Sequence, residues 1–322
     1  MTGLPGSGKT SLLQHILGRN RGLKIAVIKN DLGEAHADTA LLLGAEENIF
    51  EMTNGCICCS ARGDLVRILG TLIRRRETFD RILIEATGLA DPAPVAQTFL
   101  MDDAIASQLR LDAVITLVDA THIVQHLNKV KPGEAGIEAV EQIAFADRIV
   151  LNKTDMAGDD AIVRSVRRIR AINPGVRIVP ATFARIALHE VLDVSAFDLE
   201  RALTDDPSFL IETEHQHDTA LTSVGIELEG ELDQNRLDAW LDTLLHAEGV
   251  SLIRSKGVLA IAGEPRQYVF QGVHTLLDGE FGRIWRGSEV RRNRLVLIGR
   301  RLDREALERG FANCLATAEA MA

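Results

Sequence analysis

Through the first two hundred residues, short aliphatic and β-branched runs alternate with longer stretches whose apolar positions recur every three or four residues. Residues 24–29 (KIAVIK), Arg81–Glu85 (RILIE), 113–119 (AVITLVD), Arg148–Asn152 (RIVLN) and Arg177–Pro180 (RIVP) are nearly continuous apolar runs. A strand with one wet face alternates in polarity. A run with almost no polar position is what a strand covered on both faces of a parallel sheet shows. Between these runs, residues 61–76 and 158–172 carry the spacing of amphipathic helices. The alternation predicts an α/β fold, a doubly wound and mostly parallel sheet.

The pattern changes after Asp205-Asp206-Pro207-Ser208, which opens a polar stretch ending near His217-Asp218 and predicts a linker over 205–218. Beyond it the spacing predicts a strand (222–229), a helix (233–246), strands at 251–262, 267–276 and 295–298, and a closing helix (303–314). Strands no longer alternate singly with helices, so the chain divides into a first domain over 1–204 and a smaller α+β domain, ferredoxin-like, over 219–322.

Composition narrows the function. With 322 residues and 46% hydrophobic content, there is enough apolar material for a core in each domain. The net charge of −10 argues against nucleic-acid binding, which needs a basic face. No apolar run is long enough to span a bilayer and no leader pattern is visible, so no membrane partner and a cytoplasmic location are expected. Of the four cysteines, three fall within 56–59, a poor disulfide framework but a good thiolate cluster in a reducing compartment.

The candidate chemistry begins at the N-terminus. Gly3-Leu4-Pro5-Gly6-Ser7-Gly8-Lys9-Thr10 fits G-x-x-x-x-G-K-[ST], with a helix pattern from Ser11. Glycines in such a loop let backbone amides turn onto a β-phosphate, Lys9 adds a cation, and the Thr10 hydroxyl suits Mg²⁺. Glu85-Ala86-Thr87-Gly88 follows the RILIE strand, where Glu85 suits a magnesium-water shell and the Gly88 amide a γ-phosphate. Asn152-Lys153-Thr154-Asp155 closes the RIVL strand. The Asp155 carboxylate can accept both N1 and N2 hydrogens of guanine, which adenine lacks, and the Lys153 stem can lie over the base. The competing readings are a glycine turn, a strand-to-loop junction and a solvated turn. Having all three in order on successive strand ends favours GTP and GDP over ATP.

Asn54-Gly55-Cys56-Ile57-Cys58-Cys59 adds a second chemistry. Thiolates suit Zn²⁺, Cu⁺ or Co²⁺ rather than Mg²⁺ or Ca²⁺. A C-x-C-C run does not supply four tetrahedral ligands, an open set that suits a carrier better than a structural site. A thiol redox switch and buried apolar cysteines are the alternatives. His36, His122, His215 and His217 could complete a metal site, and Cys314 reads as a core residue.

Together the phosphate loop, Asn30-Asp31-Leu32-Gly33-Glu34, the cysteine motif, Glu85-Ala86-Thr87-Gly88-Leu89-Ala90-Asp91-Pro92 and Asn152-Lys153-Thr154-Asp155 resemble the CobW family of P-loop GTPases. These are SIMIBI-class relatives of the nickel-inserting urease and hydrogenase chaperones. Lys256-Gly257-Val258-Leu259, Phe270-Gln271-Gly272-Val273 and residues 294–299 (RLVLIG) resemble the family's C-terminal domain. The resemblance implies a slow GTPase that carries zinc, or cobalt, near its nucleotide and delivers it to a client metalloprotein, acting as a monomer or a nucleotide- or metal-dependent homodimer. Nucleotide would be held by Gly3, Gly6, Ser7, Gly8, Lys9, Thr10, Ser11, Gly88, Asn152, Lys153 and Asp155, with Lys9, Thr10 and Glu85 serving hydrolysis. The metal would be held by Cys56, Cys58 and Cys59 with Glu34 and His122. The alternative is a zinc-binding regulatory or storage protein with vestigial turnover.

Departures from the family qualify this. Asp31-Leu32 stands where Glu-Phe is commoner, Lys29 where close relatives often carry an acid, and the histidine-rich insert is absent. Leu89 occupies the place of a water-positioning glutamine, which implies slow intrinsic turnover. Only Met1-Thr2 precede Gly3, where members carry six to eight apolar residues. The expectation is a late start assignment or a truncation, a native apolar strand before Thr2, and a gap or poorly paired seam between the strands at Arg81–Glu85 and 113–119.

Overall fold

The computed structural model describes residues 1–19, 22–29, 49–51, 60–74, 79–86, 88, 91–128, 135–194, 221–246 and 251–316. Two compact units divide the chain: Met1–Arg168 with Arg177–Val194, and Ile169–Val176 with Ser195–Ala322. The sequence places the domain break ten residues later, within a segment outside the described residues.

Along residues 1–194 the elements run β1 (Thr2–Gly3), α1 (Lys9–Arg19), β2 (Ile25–Lys29), β3 (Ile49–Glu51), α2 (Ser60–Arg74), β4 (Arg81–Glu85), α3 (Ala93–Met101), α4 (Asp103–Ala106), β5 (Ile115–Asp119), α5 (Ile123–Asn128), α6 (Ala135–Phe145), β6 (Arg148–Asn152), α7 (Asp159–Ile172) and β7 (Arg177–Pro180). All pairings are parallel, in the orders β3-β2-β4 and β1-β5-β6-β7. The five apolar runs are the five main strands. β2 shows why they lack alternation: Ile25 and Val27 pack with Leu12, Leu13 and Ile16 of α1, while Ala26 and Ile28 pack with Leu65, Leu69 and Leu72 of α2. Helices thus cover both faces, as in a doubly wound sheet.

β4 and β5 are not paired with each other. Between them, Thr2 and Gly3 pair with Thr116 and Leu117, and Ala86 N donates to Met1 O at 2.9 Å. The Met1 amino group donates to Ile84 O at 2.7 Å.

The second unit carries an antiparallel sheet of β8 (Leu221–Glu229), β9 (Ser251–Ala260), β10 (Arg266–Val273), β11 (Leu276–Ile284) and β12 (Arg292–Arg300), in the order β11-β10-β9-β12-β8. Helices α8 (Gln234–His246) and α9 (Arg304–Ala312) pack with it among the described residues. Leu237, Leu241 and Leu244 form one stripe of α8, and with Leu307 and Phe311 of α9 they share a core with Val224, Phe270, Leu295 and Leu297. Cys314 is buried in that core. The α+β expectation holds, but the sheet has five strands where the sequence predicts four, one more than a ferredoxin-like β-α-β-β-α-β layer. The extra strand, β11, is an edge strand reading LLDGEFGRI. Its two glycines and its charges hide it from a hydrophobic-run search, because an edge strand half open to water needs no continuous apolar run.

Among the described residues no helix is long and apolar enough to cross a membrane.

Candidate nucleotide site

The site gathers at the C-terminal ends of the first unit's strands, where loops of a parallel sheet converge. Residues 3–8 turn tightly between β1 and α1: Ser7 N donates to Leu4 O at 3.1 Å, and Leu12 N to Gly8 O at 2.9 Å. Gly3 (φ 142°) and Gly8 (φ 110°) hold backbone conformations that L side chains rarely adopt. Space forbids a side chain as well. A Cβ on Gly3 would lie 2.4 Å from Leu117 O, and one on Gly8 2.4 Å from Asn152 Nδ2.

Lys9 opens α1, and its Nζ donates to Gly3 O at 2.8 Å and Leu4 O at 3.3 Å. The amine thus curls over the loop that it would share with a phosphate. Burial lowers the Lys9 pKa from its ordinary value, and the nearby Glu85 carboxylate opposes that shift. Glu85, the expected magnesium-shell residue, is therefore within electrostatic reach of the phosphate-loop lysine. Lys29 closes β2, buried, in register beside Glu85. The Ser7 hydroxyl is buried with no hydrogen-bond partner among the described residues. A buried polar orphan beside a cradle that admits no Cβ fits a site made to receive an oxyanion. Thr10 and Ser11 lie in the first turn of α1, at its positive end.

Gly88 sits against the loop: a Cβ there would lie 2.6 Å from Pro5 Cδ. Its carbonyl accepts from Gln142 Nε2 of α6 at 3.1 Å, so α6 is tied to the segment that follows β4.

At the other end of the site, Asn152 Nδ2 donates to Ser7 O at 2.9 Å and Asn152 Oδ1 accepts from Ala184 N at 2.8 Å. The sequence assigns Asn152 to the base; the structure also makes it the clasp between the phosphate loop and the loop after β7. Lys153 (φ 60°) donates from Nζ to Asp119 Oδ2 at 2.7 Å. Burial alone would raise the Asp119 pKa, but hydrogen bonds from Lys153, Thr121 and His122 outweigh it and hold the group at about 2. Asp155 is exposed on the same turn.

Asp119 and residues 181–185 were not among the sequence candidates. Their signal was position, since Asp119 ends a buried run next to the Asn152 strand, and the 181–185 loop follows the next strand over.

Glu34, Cys56, Cys58 and Cys59 lie outside the described residues, as do His36, His215, His217 and Leu89. His122 is described: its Nδ1 lies 2.7 Å from the Thr121 hydroxyl and 3.2 Å from Asp119 Oδ2. Among the described residues no three His, Cys, Asp or Glu side chains cluster so as to hold a metal ion.

A phosphate loop after a parallel strand, an acidic strand end beside its lysine and an Asn-Lys-x-Asp turn clasped to that loop define a P-loop nucleotide-binding protein of the GTPase type. The chain belongs to the CobW family: residues 1–180 match the CobW/HypB/UreG nucleotide-binding domain and residues 221–315 the cobalamin synthesis protein cobW C-terminal domain. It is 36% identical to zinc chaperone YjiA of Escherichia coli, over 97% of this chain and 96% of that protein. It is 33% identical to zinc chaperone CobW of Pseudomonas aeruginosa, over 98% and 90%. It is also 29% identical to zinc-regulated GTPase metalloprotein activator 1 of Schizosaccharomyces pombe, over 94% and 82%. The crystal structure of Zn(II)-bound YjiA GTPase superposes with a TM-score of 0.74 at 30% identity, covering 98% of this chain and 97% of that one. A Zn(II)-bound triple mutant of YjiA gives 0.75 at 31%, with the same coverage.

Proposed function

We propose that this protein is a GTP-hydrolysing metallochaperone that carries zinc and delivers it to a client metalloprotein. The observation that carries the nucleotide half is the Asn152 clasp, which joins the base-reading turn to a phosphate loop too tight for any Cβ at Gly3 or Gly8. Gly3, Gly6, Ser7, Gly8, Lys9, Thr10 and Ser11 would hold the phosphates, and Asn152, Lys153 and Asp155 the guanine. Thr10 and Glu85 suit Mg²⁺, a hard cation that takes oxygen ligands and neutralises phosphate charge. Gly88, packed on Pro5, would contact a γ-phosphate.

The metal half rests on the chain's similarity to zinc chaperones along nearly its whole length and on the thiolates Cys56, Cys58 and Cys59. Those thiolates, with Glu34 and His122, would bind Zn²⁺, and the same donor set accepts Co²⁺. The second domain is the candidate surface for the client, and a cytoplasmic location suits free thiols. A monomer or a homodimer formed with nucleotide or metal would be the working assembly.

The test is turnover of GTP with Mg²⁺, with and without zinc, beside Lys9→Ala. Slow turnover that responds to zinc and disappears in the variant is expected. A rate equal to that of Lys9→Ala would favour a zinc-binding regulatory or storage protein.

A further inference from the structure

Six non-glycine residues among those described have positive φ, and three of them, Lys153 (60°), Phe183 (52°) and Ala184 (54°), lie in the two loops joined by Asn152. For a bulky aromatic residue this conformation is unfavourable, and it persists only where the surroundings impose it. Here they do. Ala184, fully buried, gives its amide to Asn152, and Arg185 N donates to Thr182 O at 3.0 Å. On the other side, Thr154 N and Thr154 Oγ1 both donate to Ala181 O, at 3.2 and 3.0 Å. The backbone on both sides of Phe183 is therefore sewn to the Asn152–Asp155 turn.

The ring gains nothing from this for folding, since Phe183 is 68% exposed. Glycine or asparagine would hold the same turn with less strain and without leaving an aromatic ring in water. The turn to which this loop is sewn carries Asp155, and Lys153 anchored on Asp119, so an exposed aromatic residue sits on the loop next to the turn expected to read a base.

We propose that Phe183 is a stacking platform for the base of the bound nucleotide, adding affinity through the π face while Asp155 sets base choice through the edge. This rests on reading Asn152–Asp155 as the base-reading turn. Stacking on an aromatic face is tolerant of exocyclic groups, whereas edge hydrogen bonds are not. Loss of the ring should weaken nucleotides by about tenfold or more.

The experiment measures GDP, IDP, ADP and pyrophosphate binding by the full-length parent, Phe183→Gly and Phe183→Tyr, alongside their melting temperatures. Phe183→Gly should melt no lower than the parent, bind GDP and IDP about tenfold more weakly by the same factor, and bind pyrophosphate unchanged. Phe183→Tyr should behave as the parent. GDP affinity in Phe183→Gly within twofold of the parent would overturn the proposal. So would an equal loss of pyrophosphate, which would mean that the loop had collapsed and Phe183 was only structural. A parent that binds ADP as tightly as GDP would instead sink the guanine reading, and the Phe183→Gly loss would then appear for both nucleotides alike.

Discussion

Asn152 and Ser7 are joined by a hydrogen bond of 2.9 Å across 145 positions of sequence, and the same Asn152 carboxamide accepts the Ala184 amide at 2.8 Å. One buried side chain therefore sets the distance between the loop that would hold phosphates and the two loops that would hold a base. Such an arrangement would couple phosphate binding to base binding.

Asn152→Ala should expose this dependence. It leaves the Ser7 carbonyl and the Ala184 amide without their partner, and buried polar groups so stranded cost about 1–3 kcal/mol each. A loss of about 2–6 kcal/mol in urea unfolding is expected, together with weaker GDP binding. A parent-like unfolding midpoint would show that the clasp carries no stability.

Gly88→Ala probes the contact with Pro5. A Cβ 2.6 Å from Pro5 Cδ forces the segment after β4 or the phosphate loop to move. If the Gly88 amide serves the γ-phosphate, affinity for a non-hydrolysable GTP analogue should fall at least tenfold while GDP loses less. Calorimetric titration of both nucleotides checks it, and equal losses would place Gly88 outside any γ-phosphate contact.

Base choice is predicted to depend on Asp155. GDP should bind at least tenfold more tightly than ADP, because adenine lacks the N1 and N2 hydrogens that the Asp155 carboxylate would accept and would cover that carboxylate without bonding it. Asp155→Asn should narrow that gap or shift preference towards xanthine nucleotides. Comparable ADP affinity in the parent would rule out the role assigned to Asp155.

The strands of the first unit were legible because burial on both faces erases alternation, as β2 shows with Val27 facing α1 and Ile28 facing α2. Strand β11 was not, since Gly279, Gly282 and the acidic pair around them suit an edge that needs no apolar run. The phosphate loop was legible because its glycines answer to local sterics. The Asn152 clasp, the Lys153–Asp119 ion pair and the strained Phe183 join positions about thirty or more residues apart, so no local spacing encodes them. Only the order of strands in the folded sheet brings them together.

Asp119 predicts a pH dependence. Its carboxyl is held at about 2 against an ordinary 3.8, so on acidification the unfolded chain takes up the proton first. The stability it contributes is full above about pH 4 and is lost between about pH 4 and 2. Unfolding midpoints from pH 2 to 6 should show a gap between the parent and Asp119→Asn that is constant above about pH 5 and closes below pH 4. Parallel profiles throughout would contradict the assignment.

A GTP-hydrolysing zinc carrier of the kind proposed needs its nucleotide state to govern whether it holds or releases metal. A near-complete switch between holding and release needs about 5.5 kcal/mol of differential binding, and even a tenfold change needs about 1.4 kcal/mol. The direct measurement is a zinc titration of the full-length protein loaded with GDP and, separately, with a non-hydrolysable GTP analogue, with the triple Cys56/Cys58/Cys59 alanine variant as control. At least a tenfold difference in zinc affinity between the two loaded states is predicted, with weak binding and no difference in the variant. Identical affinities in both states would contradict the account.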